Sequence, residues 1–447
     1  MRSNREPERH HHRVVIVGGG MAGTRLAQQL AAAPPAPGAE PVAVTLIGEE
    51  PHPAYNRVLL AEVLAGRYAP EVIALPAPAA AVHRLSGVRA VRIDRDTARV
   101  LCDDGRGVPY DTLVLATGSN PVLPPLRGLF APDGHELPEG VHAFRTMDDC
   151  LALGAAVRPG ARAVVIGGGL LGVSAARALT ERGAQVVLAH QGEHLMERQL
   201  DPGASRMLRD HVAALGVEVH TECRVRGLRT RPLDGGGRAV SAVELADGYA
   251  LEAELTVLAC GVRPRVGLAR AAGLDVAHGI VVDDELRTSD PRVFAIGDCA
   301  EHDGVVYGLA QAAQEQADVA ARLLASRGSA PEPAPQLPER PESPERPGSY
   351  TGTRTLTRLT LTSAPHPLDL ASFGETTPAP GDDVIHLTDA TRNAYRKVVV
   401  RGDRLVGGIL LGDLGTVGAL ARTWEGDEPL PSTPLLHLLT NDGGSCS

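Results

Sequence analysis

Two clusters of glycine residues have the spacing of a turn that binds the phosphates of a nucleotide. Each has three glycines in a G-x-G-x-x-G pattern, and the second follows the first by about 150 residues. In this pattern the first glycine permits a tight turn, the second lets the backbone approach a pyrophosphate, and the third allows close helix packing. The free amides and the dipole at the N-terminus of the following helix attract the phosphate. The predicted phosphate-binding residues are Gly18, Gly20, Met21, Ala22 and Gly23, and then Gly167, Gly169, Leu170, Leu171 and Gly172.

The residue after the second strand of such a unit can hold the ribose of the nucleotide. Glu49 takes this place after the first cluster and offers a carboxylate to the ribose hydroxyls. His190 takes the same place after the second cluster, followed by Gln191 and without an adjacent arginine. Two interpretations of His190 stay open, a solvent-facing strand end and a position near the adenosine ribose. The sequence therefore leaves the choice between NADH and NADPH open.

The elements that must position both clusters follow the order strand, glycine turn, helix, strand. Short apolar runs indicate the strands, and longer stretches of helix-forming residues indicate the helices. The predicted strands are 13–17, 42–47, 163–166 and 185–189, and the predicted helices are 24–33 and 170–182. Further strands are predicted at 257–261, 279–282 and 293–298, and a further helix at 309–324. Two βαβ nucleotide-binding units follow from this order.

The last quarter of the chain differs in composition from the rest. Residues 330–348 are rich in Pro, Glu and Ser, which predicts a linker because such a segment buries little apolar surface. A separate module at about 350–420 contains the alternating stretches 355–361 and 396–400 and a hairpin-like turn at 401–404. These features predict a small β-rich domain.

The charge and hydropathy of the chain exclude several classes of partner. The formal net charge is −10 without clustered Lys or Arg, which argues against a nucleic-acid surface. No apolar run approaches the roughly 20 residues that cross a bilayer, and the first twelve residues are polar. These features predict no membrane partner and a cytoplasmic location. The run His10 to His12 is interpreted as a solvated tail and not as a metal site.

The six cysteines are scattered singly, without the close pairs that iron–sulfur clusters, zinc sites and redox dithiols use. Most are predicted to be buried small hydrophobes, and no metal site is predicted. A disulfide is therefore not the expected electron acceptor. Only Cys446 follows Cys299, so the clustered ligands that sirohaem and an iron–sulfur cluster need for nitrite reduction are missing from this stretch.

Four further segments carry a family resemblance. They are LATGS at 115–119, FAIGDCA at 294–300, GEEPHPAYNR at 48–57 and LMERQLD at 195–201. With the two glycine clusters they resemble FAD-dependent pyridine nucleotide-disulfide-type oxidoreductases. They are most similar to the flavin region of NAD(P)H nitrite reductase large subunits and of assimilatory nitrate reductase electron-transfer subunits. The likeness runs from about residue 13 to 325 and resumes at 369–374 and 395–413.

This resemblance implies an α/β fold in which an FAD-binding domain carries an inserted NAD(P)-binding domain, both Rossmann-like, followed by the small β-rich domain. The implied boundaries are 13–140 and 259–329 for the FAD domain, 141–258 for the NAD(P) domain, 330–349 for the linker and 350–425 for the last domain. FAD is the implied bound cofactor, and NADH or NADPH is the co-substrate.

The resemblance also implies contacts for individual residues. Asp298 would bind the ribityl hydroxyls of FAD, with an N-cap of the following helix as the alternative interpretation. Arg57 and Arg145 would approach the FAD phosphates or the flavin, and Ala90 would contact adenine through its backbone. The helix that begins near Ala310 could stabilise negative charge near flavin N1. The remaining implied cofactor contacts are Thr117, Gly118 and Gly261.

The predicted function is an NAD(P)H oxidoreductase that passes electrons through FAD to a protein acceptor of nitrate or nitrite assimilation. No catalytic acid or base is predicted, because hydride transfer to a flavin requires none. The alternatives are a ferredoxin or rubredoxin reductase, an NAD(P)H oxidase or peroxide reductase, and a non-enzymatic flavin-bound redox sensor. An oxidase would want a reactive cysteine near the flavin, and the stretch from Gly20 to Arg57 has none.

Two features stay less defined at this level. The lysine that related ferredoxin reductases carry after the Arg57 region is absent here, where residues 59–62 read LLAE. The C-terminal module is interpreted as a dimerisation or acceptor-docking domain, with a packing lid as the alternative. A homodimer is therefore one expected assembly.

Overall fold

The structure is a computed structural model that describes residues 11–33, 41–132, 134–326, 349–362, 367–389, 391–430 and Leu439. The chain folds into two compact units. Unit 1 comprises Met1–Val58, Glu71–Asn120 and Arg263–Thr353, and unit 2 comprises Leu59–Pro70, Pro121–Val262 and Arg354–Ser447. The predicted linker at 330–348, His10 and Cys446 lie outside the described residues.

Unit 1 is built on a five-stranded parallel sheet. In sheet order the strands are Val293–Ala295, Thr112–Leu115, His12–Val17, Val42–Gly48 and His83–Ser86. The central strands are continuous apolar runs, as expected of parallel strands that are buried on both faces. The helices Met21–Ala32 and Ala310–Ser326 pack against each other beside this sheet.

Smaller elements complete unit 1. An antiparallel sheet is formed by Ala90–Asp94, Arg99–Cys102 and Gly107–Pro109. The strands Ile280–Val282 and Ala300–His302 pair in parallel, and the helix Gly267–Ala271 precedes them. Short 3-10 helices lie at Pro70–Ile73 and Gly297–Cys299 and, at the border between the units, at Arg57–Leu59. The strands Ser119–Pro121 and Val262–Pro264 lie where the chain passes between the units.

The segment after the predicted linker returns to unit 1 before the last domain begins. Tyr350 is 2% exposed, and its ring packs against His302 with 4.9 Å between ring centroids. Its amide donates to the carbonyl of Asp284 at 2.7 Å. Thr353 donates from its hydroxyl to Glu315 on the helix Ala310–Ser326 at 2.6 Å. Residues 349–353 are therefore anchored in unit 1.

Unit 2 repeats the parallel sheet of unit 1. In sheet order its strands are Glu218–His220, Gln185–Ala189, Arg162–Ile166, Leu255–Leu258 and Val141–Ala143. An antiparallel sheet of Val225–Pro232, Arg238–Leu245 and Ala250–Glu252 accompanies it. The helices of this part are Leu60–Leu64, Met147–Ala156, Leu170–Glu181 and Pro202–Ala214.

The C-terminal module of unit 2 is an antiparallel five-stranded sheet. In sheet order the strands are Leu356–Leu361, Leu368–Gly374, Arg404–Leu411, Ala394–Arg401 and Asp383–Asp389. The helix Val417–Glu425 packs on the sheet through Trp424, which lies against Phe373 at 5.2 Å between ring centroids. The predicted hairpin turn at 401–404 is confirmed, with Gly402 at φ +63°.

The predicted fold class, an α/β fold with two Rossmann-like units and a β-rich C-terminal domain, is confirmed. Several boundaries differ from the prediction. The first helix begins at Met21 instead of residue 24, the strand predicted at 257–261 is Leu255–Leu258, and the strand predicted at 293–298 ends at Ala295. No helix in the described ranges is long and apolar enough to cross a bilayer.

Candidate functional site

The first glycine turn connects the strand His12–Val17 to the helix Met21–Ala32. Gly18 has φ +124°, and a Cβ there would lie 2.0 Å from the carbonyl oxygen of Ala116. A Cβ on Gly23 would lie 2.0 Å from the carbonyl oxygen of Gly18. A Cβ on Gly20 would meet no described atom within 4 Å. The packing of the chain therefore explains why Gly18 and Gly23 are glycines, and it leaves open space in front of Gly20.

The second glycine turn, between Arg162–Ile166 and Leu170–Glu181, has the same geometry. Gly167 has φ +118°, and its Cβ would lie 2.3 Å from the carbonyl oxygen of Ala259. A Cβ on Gly172 would lie 1.7 Å from the carbonyl oxygen of Gly167, whereas one on Gly169 would meet no described atom within 4 Å. Both turns thus leave their middle glycine facing open space, where a phosphate can approach the backbone.

The N-termini of the helices that follow both turns have free amides that can bind an anion. Gly20 and Gly169 are the N-cap residues, and neither has a side chain to accept from the first-turn amides. Neither first turn holds an acidic residue that would neutralise the helix dipole. The residues that follow the two caps are Met21, Ala22, Leu170 and Leu171. The arrangement fits the pyrophosphate of a dinucleotide at each helix.

Glu49 lies just after the strand Val42–Gly48, at the carboxyl edge of the unit 1 sheet. Its carboxylate forms an ion pair with Arg265 at 2.6 Å. Arg265 is fixed through its backbone, because its amide donates to Gly118 and its carbonyl accepts from the Thr117 hydroxyl at 2.8 Å. The Glu49 side chain remains 47% exposed, so an oxygen stays accessible for a sugar hydroxyl. No local pattern points to Arg265 as the partner of Glu49, because the two residues are distant along the chain.

Asp298 lies in the 3-10 helix Gly297–Cys299, and its carboxylate accepts from the Ser119 hydroxyl at 2.9 Å. The Gly297 amide donates to the Gln316 side chain at 2.7 Å, which ties this turn to the helix Ala310–Ser326. The alternative interpretation of Asp298 as the N-cap of that helix is wrong, because a strand and a turn separate Asp298 from Ala310. A Cβ on Gly297 would lie 3.2 Å from Ala22, which places the turn that carries Asp298 beside the helix Met21–Ala32.

Arg57 belongs to a charged cluster in unit 1. Its guanidinium pairs with Glu50 and lies over the Tyr55 ring, 5.0 Å from the ring centroid. The Tyr55 hydroxyl donates to Glu50 at 2.7 Å. Burial opposes the charged form of Arg57, but the electrostatic interactions with Tyr55, Glu50 and Asp298 outweigh it and raise the arginine pKa. Arg57 therefore stays cationic near Asp298, as a site for anionic groups requires.

Three other predicted residues lie in unit 1. Ala90 begins the strand Ala90–Asp94, close in sequence to Val88, whose amide donates to Gly48 at 2.9 Å at the carboxyl edge of the sheet. Gly118 has φ +70°, and Ala310 is the first residue of the long helix. Gly118 follows the strand Thr112–Leu115, at the carboxyl edge that also carries the first glycine turn and where open α/β sheets bind ligands.

Arg145 and Gly261 lie in unit 2. Arg145 directly precedes the capping box in which Thr146 and Asp149 cap the helix Met147–Ala156, and its amide donates to Asp149 at 3.0 Å. Gly261 has φ +95° and follows the strand Leu255–Leu258. Their contacts within unit 2 are structural, and the cofactor contacts implied for them stay predictions.

His190 is folded onto its own glycine turn. Its Nδ1 accepts from the Gly168 amide at 3.1 Å, so in the neutral ring Nε2 carries the proton and donates to the carbonyl of His194 at 3.1 Å. A Cβ on Gly168 would lie 2.6 Å from the imidazole ring. The ring is half-buried directly after the strand Gln185–Ala189, and both interpretations of His190 stay predictions. Both ring nitrogens of His190 are used in hydrogen bonds to the chain itself. These bonds stabilise the turn and leave neither nitrogen available to a ribose in this conformation.

Glu62 ends the stretch 59–62, where the family resemblance implies a lysine that this chain lacks. Its carboxylate binds Arg177 at 2.5 Å, and Arg177 is only 1% exposed. Arg177 also pairs with Glu181 one helical turn later at 3.1 Å. Two carboxylates thus compensate the buried guanidinium, and the stretch 59–62 serves the packing of unit 2.

The described cysteines are all free thiols, and three of the five are buried. Burial raises the pKa of Cys150 and Cys260 to about 11, and it also raises the pKa of Cys299. Cys299 donates to the carbonyls of Ile296 and Leu115. Thiols held protonated in this way are poor nucleophiles. The described side chains include no group of three His, Cys, Asp or Glu able to hold a metal ion.

Similar proteins of known sequence carry reductase names. Nitrite reductase [NAD(P)H] of Bacillus subtilis is 33% identical over 400 residues, which are 89% of this chain and 45% of that protein. The assimilatory nitrate reductase electron transfer subunit of Bacillus subtilis is 32% identical over 380 residues, or 83% of this chain and 44% of that protein. The chain thus spans less than half the length of these curated relatives.

Solved structures show the same fold. The ferredoxin reductase for the CYP199A2 system from Rhodopseudomonas palustris matches with a TM-score of 0.76 and 25% identity, over 94% of this chain and 96% of that chain. The NADH:rubredoxin oxidoreductase from Clostridium acetobutylicum matches with a TM-score of 0.69 and 20% identity, over 96% and 99% of the two chains. The latter likeness supports the fold alone.

Family models cover most of the described sequence. Residues 366–423 match the rubredoxin NAD+ reductase C-terminal domain. Residues 12–317 match the pyridine nucleotide-disulphide oxidoreductases. The chain therefore belongs to the pyridine nucleotide-disulphide oxidoreductase family.

Proposed function

We propose that this chain takes hydride from NADH or NADPH and passes the electrons through FAD to a protein acceptor of nitrite or nitrate assimilation. The observation that carries the proposal is the pair of glycine turns, each with an open middle glycine before an uncapped helix. The names of the curated relatives support the choice of acceptor. The proposal includes a cytoplasmic location, where a nicotinamide-dependent reductase meets its reductant.

Unit 1 is proposed to hold FAD. Bound FAD would accept a hydride and release its electrons one at a time. The amides of Met21 and Ala22 would bind its pyrophosphate, Glu49 its adenosine ribose and Asp298 its ribityl hydroxyls. Arg57 would place positive charge near the phosphates or the flavin. The N-terminus of the helix Ala310–Ser326 would stabilise negative charge through its dipole.

Unit 2 is proposed to bind the nicotinamide nucleotide, with the amides of Leu170 and Leu171 on its pyrophosphate. These residues need only orient the nucleotide, because no side chain has to move a proton during hydride transfer to a flavin. The C-terminal module is proposed to serve assembly, either as a dimerisation surface or as a docking surface for the acceptor.

A ferredoxin-type acceptor is the second candidate, because residues 366–423 match a rubredoxin NAD+ reductase domain and a ferredoxin reductase shares the fold at 25% identity. The same experiment tests both candidates. Purified protein is reduced anaerobically by each nucleotide in a stopped-flow instrument and then mixed with a nitrite reductase haem domain, a ferredoxin or oxygen. Fast reoxidation by the nitrite reductase domain alone supports the leading proposal. Fast reoxidation by oxygen alone contradicts both candidates.

A further inference from the structure

The segment that follows His190 connects the second glycine turn directly to the C-terminal module, and both ends lie within unit 2. At the turn, Met196 donates from its amide to the carbonyl of Gly168 at 2.9 Å. Together with the bond from the Gly168 amide to His190, this fixes both polar groups of Gly168. The Leu195 side chain packs so closely that a Cβ on Gly168 would lie 2.7 Å from it.

Met196 makes this segment stiff. It is 1% exposed and has φ +52°, a left-handed conformation that is unfavourable for a residue with a side chain. Its carbonyl accepts from the amides of both Gln199 and Leu200, at 2.8 and 2.9 Å. A conformation of this kind persists only where the surroundings over-determine it. Displacement at residue 201 is therefore expected to reach Gly168.

The other end of the segment is clamped by the C-terminal sheet. Asp201 caps the helix Pro202–Ala214 and accepts from the Tyr395 hydroxyl at 2.7 Å and from the Lys397 ammonium at 2.7 Å. The Ser372 hydroxyl donates to the carbonyl of Gln199 at 2.6 Å. Tyr395 is 4% exposed and the Lys397 side chain is 12% exposed, so water weakens these bonds little.

Lys397 has a second property that sets it apart. The sequence contains 44 lysine and arginine residues, and Lys397 is the only lysine among them. A cavity of about 530 Å³ beside it, lined also by Arg206, Thr376 and His386, keeps the ammonium within reach of small molecules. A single amine of this kind can be modified selectively.

We propose that Tyr395 and Lys397 are positioning residues for the nicotinamide nucleotide, which hold Asp201 and thereby fix the second glycine turn through the segment 195–201. The inference rests on the proposed function of unit 2 in nucleotide binding. It assigns to the C-terminal module a role in the reductive half-reaction, in addition to any role in assembly.

The test measures anaerobic flavin reduction as a function of NADH and NADPH concentration for the full chain with its FAD. Lys397→Met and Tyr395→Phe raise the apparent Kd of the nucleotide roughly 2- to 30-fold. The limiting rate constant and the FAD content stay unchanged, and Lys397→Arg restores most of the affinity. Arg401→Gln is the matched control, because Arg401 pairs only with Glu375 and Asp382 among the described carboxylates.

Chemical modification of the wild-type protein tests the same proposal and does not depend on a variant that folds. Acetylation of the intact protein modifies Lys397 as the only side-chain amine, and it raises the Kd as Lys397→Met does. Acetylation of Lys397→Met itself changes nothing further, which controls for the α-amino group. NAD+ or NADP+ slows the acetylation of Lys397, as measured by mass spectrometry of its peptide.

The outcomes separate the two proposals. If neither nucleotide reduces the flavin of the unmodified protein, the proposed function of unit 2 is wrong. If the unmodified protein is reduced normally but both variants and the acetylated protein keep its Kd, the positioning role alone is wrong.

Discussion

The glycine turn of unit 1 and the glycine turn of unit 2 share one backbone frame and differ in the residue after the second strand. In unit 1 that residue is Glu49, a carboxylate with a long-range partner in Arg265 and nearly half of its surface exposed. In unit 2 it is His190, whose two ring nitrogens bond within the turn region itself. The frame places an open middle glycine before an uncapped helix N-terminus in both units, whereas only the turn of unit 1 is followed by a carboxylate at this place. We expect the cofactor of unit 1 to be held more selectively than the nucleotide of unit 2.

The largest expected effect comes from closing the open space at each middle glycine. Gly20→Val is expected to abolish most FAD binding, because its side chain enters the space in front of the helix N-terminus. Gly169→Val is expected to keep the FAD and to lower kcat/KM for the nucleotide roughly 100-fold, or about 2.7 kcal/mol. Visible absorbance of the purified protein and steady-state kinetics measure the two effects.

Gly235→Val is the matched control, because a Cβ there also meets no described atom within 4 Å, but the residue lies in a hairpin of the antiparallel sheet. Gly235→Val is expected to leave both FAD binding and kcat/KM for the nucleotide unchanged. A yellow Gly20→Val protein that is reduced normally would contradict the assignment of the first turn to FAD.

The second largest effect is expected on the affinity of unit 1 for FAD. Asp298→Asn removes a charged acceptor, which is worth about 1.5–3 kcal/mol. The Kd of FAD, measured by fluorescence titration of the apoprotein, is expected to rise roughly 10- to 100-fold. Ser119→Ala removes only the hydroxyl that orients Asp298 and should have a smaller effect. Equal FAD affinity in wild type and Asp298→Asn would show that Asp298 does not contact FAD.

A smaller effect is expected when unit 2 is made to resemble unit 1. His190→Asp places a carboxylate at the ribose position, which can accept from a 2′-hydroxyl and repels a 2′-phosphate. The ratio of kcat/KM for NADH to that for NADPH is expected to rise about tenfold, or about 1.4 kcal/mol. His190→Asn controls for the loss of the imidazole. If the ratio does not move, the ribose lies away from this strand end.

The smallest effect concerns the start of each sheet. Arg13, near the start of the strand His12–Val17, pairs with Asp111 at 2.7 Å. Arg162, the first residue of the strand Arg162–Ile166, pairs with Glu252 and lies 3.8 Å from Glu254. The hydrogen bond from Arg13, reinforced by its charge, lowers the pKa of Asp111 from 3.8 to about 2. The pair therefore stabilises the fold above pH 4 and loses this contribution as the pH falls toward 2.

Because both side chains are more than a third exposed, Asp111→Asn is expected to cost less than about 1 kcal/mol at pH 7. Urea unfolding of both proteins at several pH values measures the difference, which should shrink as the pH approaches 2. Glu254→Gln is expected to cost less than Asp111→Asn at pH 7. A difference for Asp111→Asn that grows on acidification would contradict the sign of the shift.

Local patterns in the sequence were sufficient to predict the frame of both nucleotide units. Parallel strands are buried on both faces, so Val14 to Val17 and Val164 to Ile166 stand out as apolar runs. Glycine spacing predicts the turns, because Gly23 and Gly172 pack on the carbonyls of Gly18 and Gly167 a few residues earlier. The distant carbonyls that also require Gly18 and Gly167 to be glycines leave no local signal. The sequence predicts a later start for the first helix because glycine disfavours helices, whereas Gly23 is helical here and packs against Gly18.

The parts that the sequence could not predict depend on contacts between distant residues. Thr256 is polar and yet fully buried, so the strand Leu255–Leu258 was predicted to begin too late. The short strand Ala90–Asp94 is only partly buried and lacks a clear alternation. The partners of Glu49 and the orientation of the His190 ring follow from the tertiary fold. No local spacing encodes them.

The burial of Tyr350 changes what a protease cut between residues 327 and 348 would do. Both flanks of that stretch, the helix Ala310–Ser326 and the segment 349–353, are fastened to the same unit. Because the residues on both sides of the cut are held in unit 1, the two fragments are expected to co-purify. A truncation meant to remove only the C-terminal module should therefore begin after Thr353, since a deletion that begins earlier also removes the buried Tyr350 from unit 1.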